Sequence, residues 1–171
     1  MITARAVGHG LMTQEGYDRL RRELETLTTR TRWDVAKRLR VARDDGGDPA
    51  ENGELMAALD EQGLLEQRIS QLQARLASAR VVAAAADGTA GIGTRVRLHS
   101  RAAGIVEYEL VGVGEADAGR GRISIDSPVG KAIAGRRTGE TVEVETPRRV
   151  RRLKLLAVEP AEIGASLLRA A

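Results

Sequence analysis

The chain contains no cysteine and no phenylalanine, and one tryptophan and two tyrosines are all its aromatic surface apart from two histidines. Without thiols there can be no disulfide and no thiolate metal site, which fits a cytoplasmic protein. Without aromatics the core must be built from Leu, Val, Ile and Ala, which suits helix packing and small sheets better than a large aromatic-lined pocket. No apolar run is long enough to span a membrane, and Met1 to Leu11 has no signal-type run. The histidines, His9 and His99, lack any ligand spacing and are expected to be exposed. Nucleophile elbow, phosphate loop and zinc patterns are missing as well. Gly112-Val113-Gly114 is too short for a dinucleotide fingerprint and lacks its strand–helix context.

What is present is charge of both signs. The 171 residues hold 27 basic and 24 acidic side chains, a formal net charge of +3. Lysines are few, only Lys37, Lys131 and Lys154; the rest of the positive charge is arginine. The near balance predicts little affinity for duplex DNA, because distribution matters more than the sum. The length allows one or two small domains.

Two periodicities divide the chain. Thr13 is a helix cap with Gly16 three residues on, and Leu20, Leu24, Leu27, then Val35 and Leu39, form an apolar stripe. The spacing predicts an amphipathic helix to about Arg43, with Trp33 and Tyr17 as packing residues. A break follows at Asp44-Asp45-Gly46-Gly47-Asp48-Pro49. Asp48 then reads as an N-cap, Pro49 as the first helical residue and Glu51 as the partner three residues later. Leu55, Ala58, Gln62, Leu65, Ile69, Leu72, Leu76 and Ala79 repeat at heptad spacing. Two helices of roughly 30 residues, about 45 Å each, joined by a turn form an antiparallel hairpin.

Val81 to Gly93, rich in Ala and Gly, reads as a linker. From Thr94 the period becomes two: Thr94–Leu98, Gly104–Val111, Ile123–Ile125, Thr141–Val144 and Leu153–Val158 predict a small, mostly antiparallel sheet, with a short helix at Pro128–Ala134. The expected class is α+β: a hairpin over 12–80, a linker over 81–93, a sheet domain over 94–158, and tails at 1–11 and 159–171. Arg148, Arg149, Arg151 and Arg152 form a basic run, usually a solvated hairpin, with RNA or an acidic protein surface as the functional alternative.

The chemically informative segment is the turn. Asp44, Asp45, Asp48 and Glu51 put four carboxylates at one end of the hairpin. One explanation is structural, since acids stabilise helix N-termini and glycines make turns. The other is chemical: clustered carboxylates suit magnesium, which keeps several waters, so one or two could complete a site belonging to another molecule.

Several motifs together resemble the Gre transcription elongation factors. They are Met12-Thr13-x-x-Gly16-Tyr17-x-x-Leu20-x-x-Glu23-Leu24, Gly47-Asp48-x-x-Glu51-Asn52-x-Glu54, and Glu61-Gln62-Gly63-x-x-Glu66-x-Arg68-Ile69. Farther on come Glu115-Ala116-Asp117, Ile123 to Ala132, Gly135-Arg136-Arg137-x-Gly139-Glu140, and Val142-Glu143-Val144-x-Thr146-Pro147. The match is collinear from about Leu11 to Val158. The resemblance implies an N-terminal coiled coil and an FKBP-like C-terminal domain. It implies bacterial RNA polymerase as partner, docking through Asp126, Ser127 and Pro128, and a hairpin inserted into the secondary channel near the nascent RNA 3′ end. It further implies that Asp48 coordinates a second magnesium shared with the polymerase and Glu51 positions the ion or its water, with aid from Asp44 and Asp45. The polymerase would then cleave its own backtracked RNA, so the chain is not itself an enzyme.

The sequence departs from the family pattern at Gly46-Gly47, where one glycine is usual, at Leu55 where an aromatic is common, and at Met56 in place of a histidine. A channel-binding inhibitor without cleavage activity is the alternative reading, and a coiled-coil adaptor with dispensable tip carboxylates is a third. Prolyl isomerisation is disfavoured, because the second domain lacks the aromatics of a proline pocket.

Overall fold

A computed structural model describes residues 10–44, 52–101, 104–146 and 149–161. It divides into two compact units, Asp18–Ser78 and a second made of Met1–Tyr17 with Ala79–Ala171.

The first unit is helical. Helix α1 (Gln14–Thr26), which begins in the other unit, continues through a π-turn (Leu27–Thr31) into α2 (Arg32–Asp44), and α3 (Gly53–Ser78) returns. The pairs Glu23–Arg68, Arg32–Glu66 and Arg38–Glu61, and the bond from Asn52 Nδ2 to the Ala42 carbonyl, show that the arms are antiparallel. The seam is Val35, Leu39 and Ala42 against Leu55, Ala58, Leu65 and Ile69.

The π-turn corrects the expected unbroken helix, and its cause is legible. A strict heptad from Leu20, Leu24 and Leu27 would continue through positions 31, 34, 38 and 41, which are Thr31, Asp34, Arg38 and Val41. The buried residues are instead Val35, Leu39 and Ala42, each one residue later. A π-turn absorbs that extra residue and returns the stripe to the seam. The threonines assist: Thr26, Thr28 and Thr29 donate their hydroxyls to the carbonyls of Arg22, Leu24 and Glu25 at 2.9, 2.8 and 2.7 Å, which loosens the local ladder.

Three further expectations change here. Helix α3 starts at Gly53, not near Pro49, and its cap is Asn52, whose Oδ1 accepts from Leu55 N at 3.0 Å. Gln62 is exposed although it lies on the heptad. Trp33 is not a packing residue; it is 64 % exposed, with Lys37 Nζ 5.4 Å from its ring centre.

The second unit holds a five-stranded sheet in the order β5-β4-β3-β7-β6. The strands are β3 (Thr94–Ser100), β4 (Gly104–Val111), β5 (Arg122–Ser124), β6 (Thr141–Thr146) and β7 (Arg149–Pro160), with α4 (Pro128–Ile133) between β5 and β6. Alternation places Val96, Leu98, Leu110, Val142, Val144, Leu153 and Leu155 on the inner face, with Ile133 of α4 against them. The sheet is mostly antiparallel, as expected; the exception is β5, which pairs parallel to β4, Glu109 with Arg122 through Val111 with Ser124. A 3-10 turn at Ala118–Arg120, capped by Asp117, and left-handed Gly121 return the chain for that pairing.

Residues 81–93, expected as a linker, are built into this unit. β2 (Arg80–Val81) pairs parallel with β1 (Leu11–Met12). Ala90 and Ile92 are buried, and Ala90 N donates to Arg136 O while Gly135 N donates to Ala90 O, both at 2.8 Å. Small residues here permit close approach rather than freedom.

Candidate functional site

Three places bear on function: the hairpin turn, the loop before α4, and a buried carboxylate that the sequence did not single out.

At the turn, residues 45–51 lie outside the described residues, so Asp45, Asp48 and Glu51 have no described geometry. Their flanks do. Asp44 ends α2 at its C-terminus, where the helix dipole disfavours a carboxylate. On the described side of the turn the cap of α3 is Asn52, while Asp48, expected as that cap, lies outside the described residues. Asn52 also ties the arms together by donating to Ala42 O at 2.8 Å. Among the described residues no group of three or more His, Asp or Glu could hold a metal.

In the loop before α4, Ser127 is the cap of the helix. Its Oγ accepts from Gly130 N at 3.0 Å and donates to Ser124 O at 2.7 Å. Pro128 occupies the first turn, where its missing N–H costs nothing. Asp126 and Pro128 are exposed and Ser127 is half-buried, so the three form a rigid, accessible corner. Gly130 is required, since a Cβ there would overlap the Ser124 carbonyl.

The buried carboxylate is Glu115. Its Oε1 accepts from Thr13 N at 3.0 Å and Gly112 N at 3.1 Å, and its Oε2 accepts from Thr13 Oγ1 at 2.5 Å. Thr13 Oγ1 in turn accepts from Gly16 N at 2.9 Å, the helix cap that the sequence predicted. A Cβ on Gly16 or Gly112 would overlap this carboxylate. Arg122 lies 3.7 Å from both Glu115 and Glu109 and 3.3 Å from Glu15, its side chain almost wholly buried. Burial pushes the Glu109 carboxyl above its ordinary range, against the pull of Arg122. Thr13, Gly16, Gly112, Glu115 and Arg122 thus form one buried network joining segments 102 residues apart.

Two family models divide this chain between them. "Transcription elongation factor, N-terminal" matches residues 10–81, and "Transcription elongation factor, GreA/GreB, C-term" matches residues 85–160. The chain belongs to the GreA/GreB family of transcription elongation factors. A GreA of Caldanaerobacter subterraneus subsp. tengcongensis is 39 % identical over 151 residues, covering 86 % of this chain and 96 % of the relative. The GreA of Bacillus cytotoxicus is 38 % identical over 151 residues, covering 86 % and 95 %. A solved structure of the transcription factor Gfh1 shares 29 % identity at a TM-score of 0.42, covering 88 % of this chain and 97 % of that one.

Family membership accounts for the motifs at both ends of the chain. The Met12–Tyr17 opening and the Glu115–Asp117 motif, separate in sequence, meet at the Glu115 carboxylate. Sequence reasoning quoted Glu115 but gave it no role. The available signal was a lone acid beside Gly112 and Gly114 in an otherwise apolar stretch.

Proposed function

We propose that this Gre-family factor acts on bacterial RNA polymerase, inserting its helical hairpin into the secondary channel to stimulate cleavage of backtracked RNA. Asp126, Ser127 and Pro128 form the docking corner. Asp48 and Glu51 are donated to the polymerase active site, beside the nascent RNA 3′ end. The chain performs no hydrolysis alone; it completes the polymerase's own.

The observation that carries this reading is the match of both family models along the chain, with Asp48 and Glu51 falling in the turn between the two arms of the hairpin. Their chemistry suits the role: carboxylate oxygens are the donors that magnesium takes, and one or two leave room for water and further ligands. Asp48 would hold a magnesium ion, with Asp44 and Asp45 adding negative potential, and Glu51 would position the ion or its water. The chemistry such an ion would supply is stabilisation of the negative charge that develops on the phosphodiester oxygens during hydrolysis. No helix among the described residues is long and apolar enough to cross a membrane, in keeping with a partner in the cytoplasm.

The test is RNA length in stalled, backtracked elongation complexes. Addition of the protein should shorten the RNA from its 3′ end and restart synthesis. Unchanged RNA with slowed nucleotide addition would instead identify a channel-blocking inhibitor, and the second glycine of Gly46-Gly47 would be its first suspected cause.

A further inference from the structure

The outer face of the sheet is not uniform in charge. At one end Arg95 and Arg97 lie 3.5 and 3.6 Å from Glu107, so cation and carboxylate are matched. At the other end the matching stops. His99 of β3 pairs in register with Lys154 of β7, and Lys154 with Thr141 of β6. Arg101, just past β3, and Arg152, two residues before Lys154, complete a concavity of about 250 Å³ lined by these five side chains.

Only Arg152 has a carboxylate partner, Glu143 at 2.8 Å. Among the described residues Arg101 and Lys154 form no ion pair. Lys154 faces His99 and Thr141 across the strands, and Arg101 lies just past β3, so no cross-strand carboxylate offsets these two cations. A bound anion would supply the missing charge. The donors also indicate which anion. Two guanidinium groups, an ammonium point charge, a hydroxyl and an imidazole line a small space, and no carboxylate lines it. That set matches the several oxygens of a tetrahedral phosphate better than the two coplanar oxygens of a carboxylate. No tryptophan or tyrosine lines the concavity, so a nucleobase would find no stacking surface there.

We propose that the His99–Arg101–Thr141–Arg152–Lys154 concavity is a phosphate-binding site, serving a nucleotide or the backbone of a single RNA strand. It is separate from the hairpin turn and does not depend on the cleavage reading. Binding is electrostatic and weakens with salt, by a slope of about 0.7 per phosphate contact on a single strand.

The experiment follows the ring C–H signals of His99 by NMR in the full chain at low salt. Three probes are titrated: inorganic phosphate, a uridine nucleotide, and a ten-residue oligouridylate. Saturable shifts of the His99 signals with the phosphate probes are expected. Tighter binding of the oligomer assigns the backbone as source, and tighter binding of the mononucleotide assigns a free nucleotide. Arg101→Gln and Lys154→Gln each weaken binding about fivefold or more and lower the salt slope, with an unchanged thermal midpoint because both side chains are exposed. The proposal fails if the His99 signals do not move, or if the double variant binds as well as the parent. It also fails if a polyglutamate peptide binds this concavity more tightly than any phosphate probe, since the site then serves an acidic protein.

Discussion

Among the described residues the pairs that cross the helical hairpin lie on the surface, whereas the sheet unit, besides surface pairs of its own, buries one charged cluster around Arg122. Arg32–Glu66, Arg38–Glu61 and Glu23–Arg68 span the hairpin at 2.7, 2.7 and 2.5 Å, all well exposed to solvent. Such pairs set register and contribute little stability. Glu115 and Arg122 are almost wholly buried, and the carboxylate accepts three hydrogen bonds. Removing one partner of such a group strands the other in a dry interior. The hairpin is therefore a tolerant arm and the sheet unit an intolerant one.

The sharpest way to break this contrast is Glu115→Ala. It should destabilise the sheet unit by about 3–5 kcal/mol in denaturant unfolding followed at sheet amides, since Arg122 and Thr13 lose their shared partner. A loss below about 1 kcal/mol would mean that water replaces the carboxylate and the network is not structural. Gly16→Ala comes next, because its Cβ would overlap Glu115. We expect about 1–3 kcal/mol in the same measurement. In the hairpin, deletion of Thr29 removes the extra residue that the π-turn absorbs. The deletion variant should keep its helical circular dichroism and change stability by about 1 kcal/mol or less. A collapse of helicity would show that the π-turn has a purpose other than phase correction.

The smallest effect is acid dependence. Hydrogen bonds from the side chain and backbone of Thr89 hold Asp87 below its ordinary 3.8, and the bond from Arg137 N holds Glu140 below its ordinary 4.5. Their contribution is present above those values and is lost as pH falls through the lower folded ones. Glu109, raised by burial, works in the opposite sense: its contribution is full below its ordinary 4.5 and is lost as pH rises through the folded value. The thermal midpoint should fall slightly below about pH 4, and Asp87→Asn should flatten that fall. An unaltered acid limb in Asp87→Asn would remove Asp87 from the account.

What the sequence disclosed follows the range of the interactions. The Thr13 cap, the heptad of α3, the five strands and the Ser127–Pro128 helix start are all local, and local spacing revealed them. The π-turn could have been read from the shift of the apolar stripe between Leu27 and Val35, with three threonines beside it. Ala90 and Ile92 were misread because an Ala- and Gly-rich segment looks the same whether loose or closely packed. Glu115 was harder to read: its partner Thr13 lies 102 residues away, and the only local signal was an acid beside Gly112 and Gly114. At the turn the acids stood out in sequence; Asp48 lies outside the described residues, and the cap seen on α3 is Asn52.

The most direct test of the account is Asp48→Asn in backtracked elongation complexes. Asparagine keeps a side-chain oxygen of the same size and loses the charge that a metal requires. The account predicts that the parent protein shortens the RNA, while the variant binds the polymerase as tightly, melts at the same temperature and leaves the RNA intact. Equal cleavage by parent and variant would contradict it.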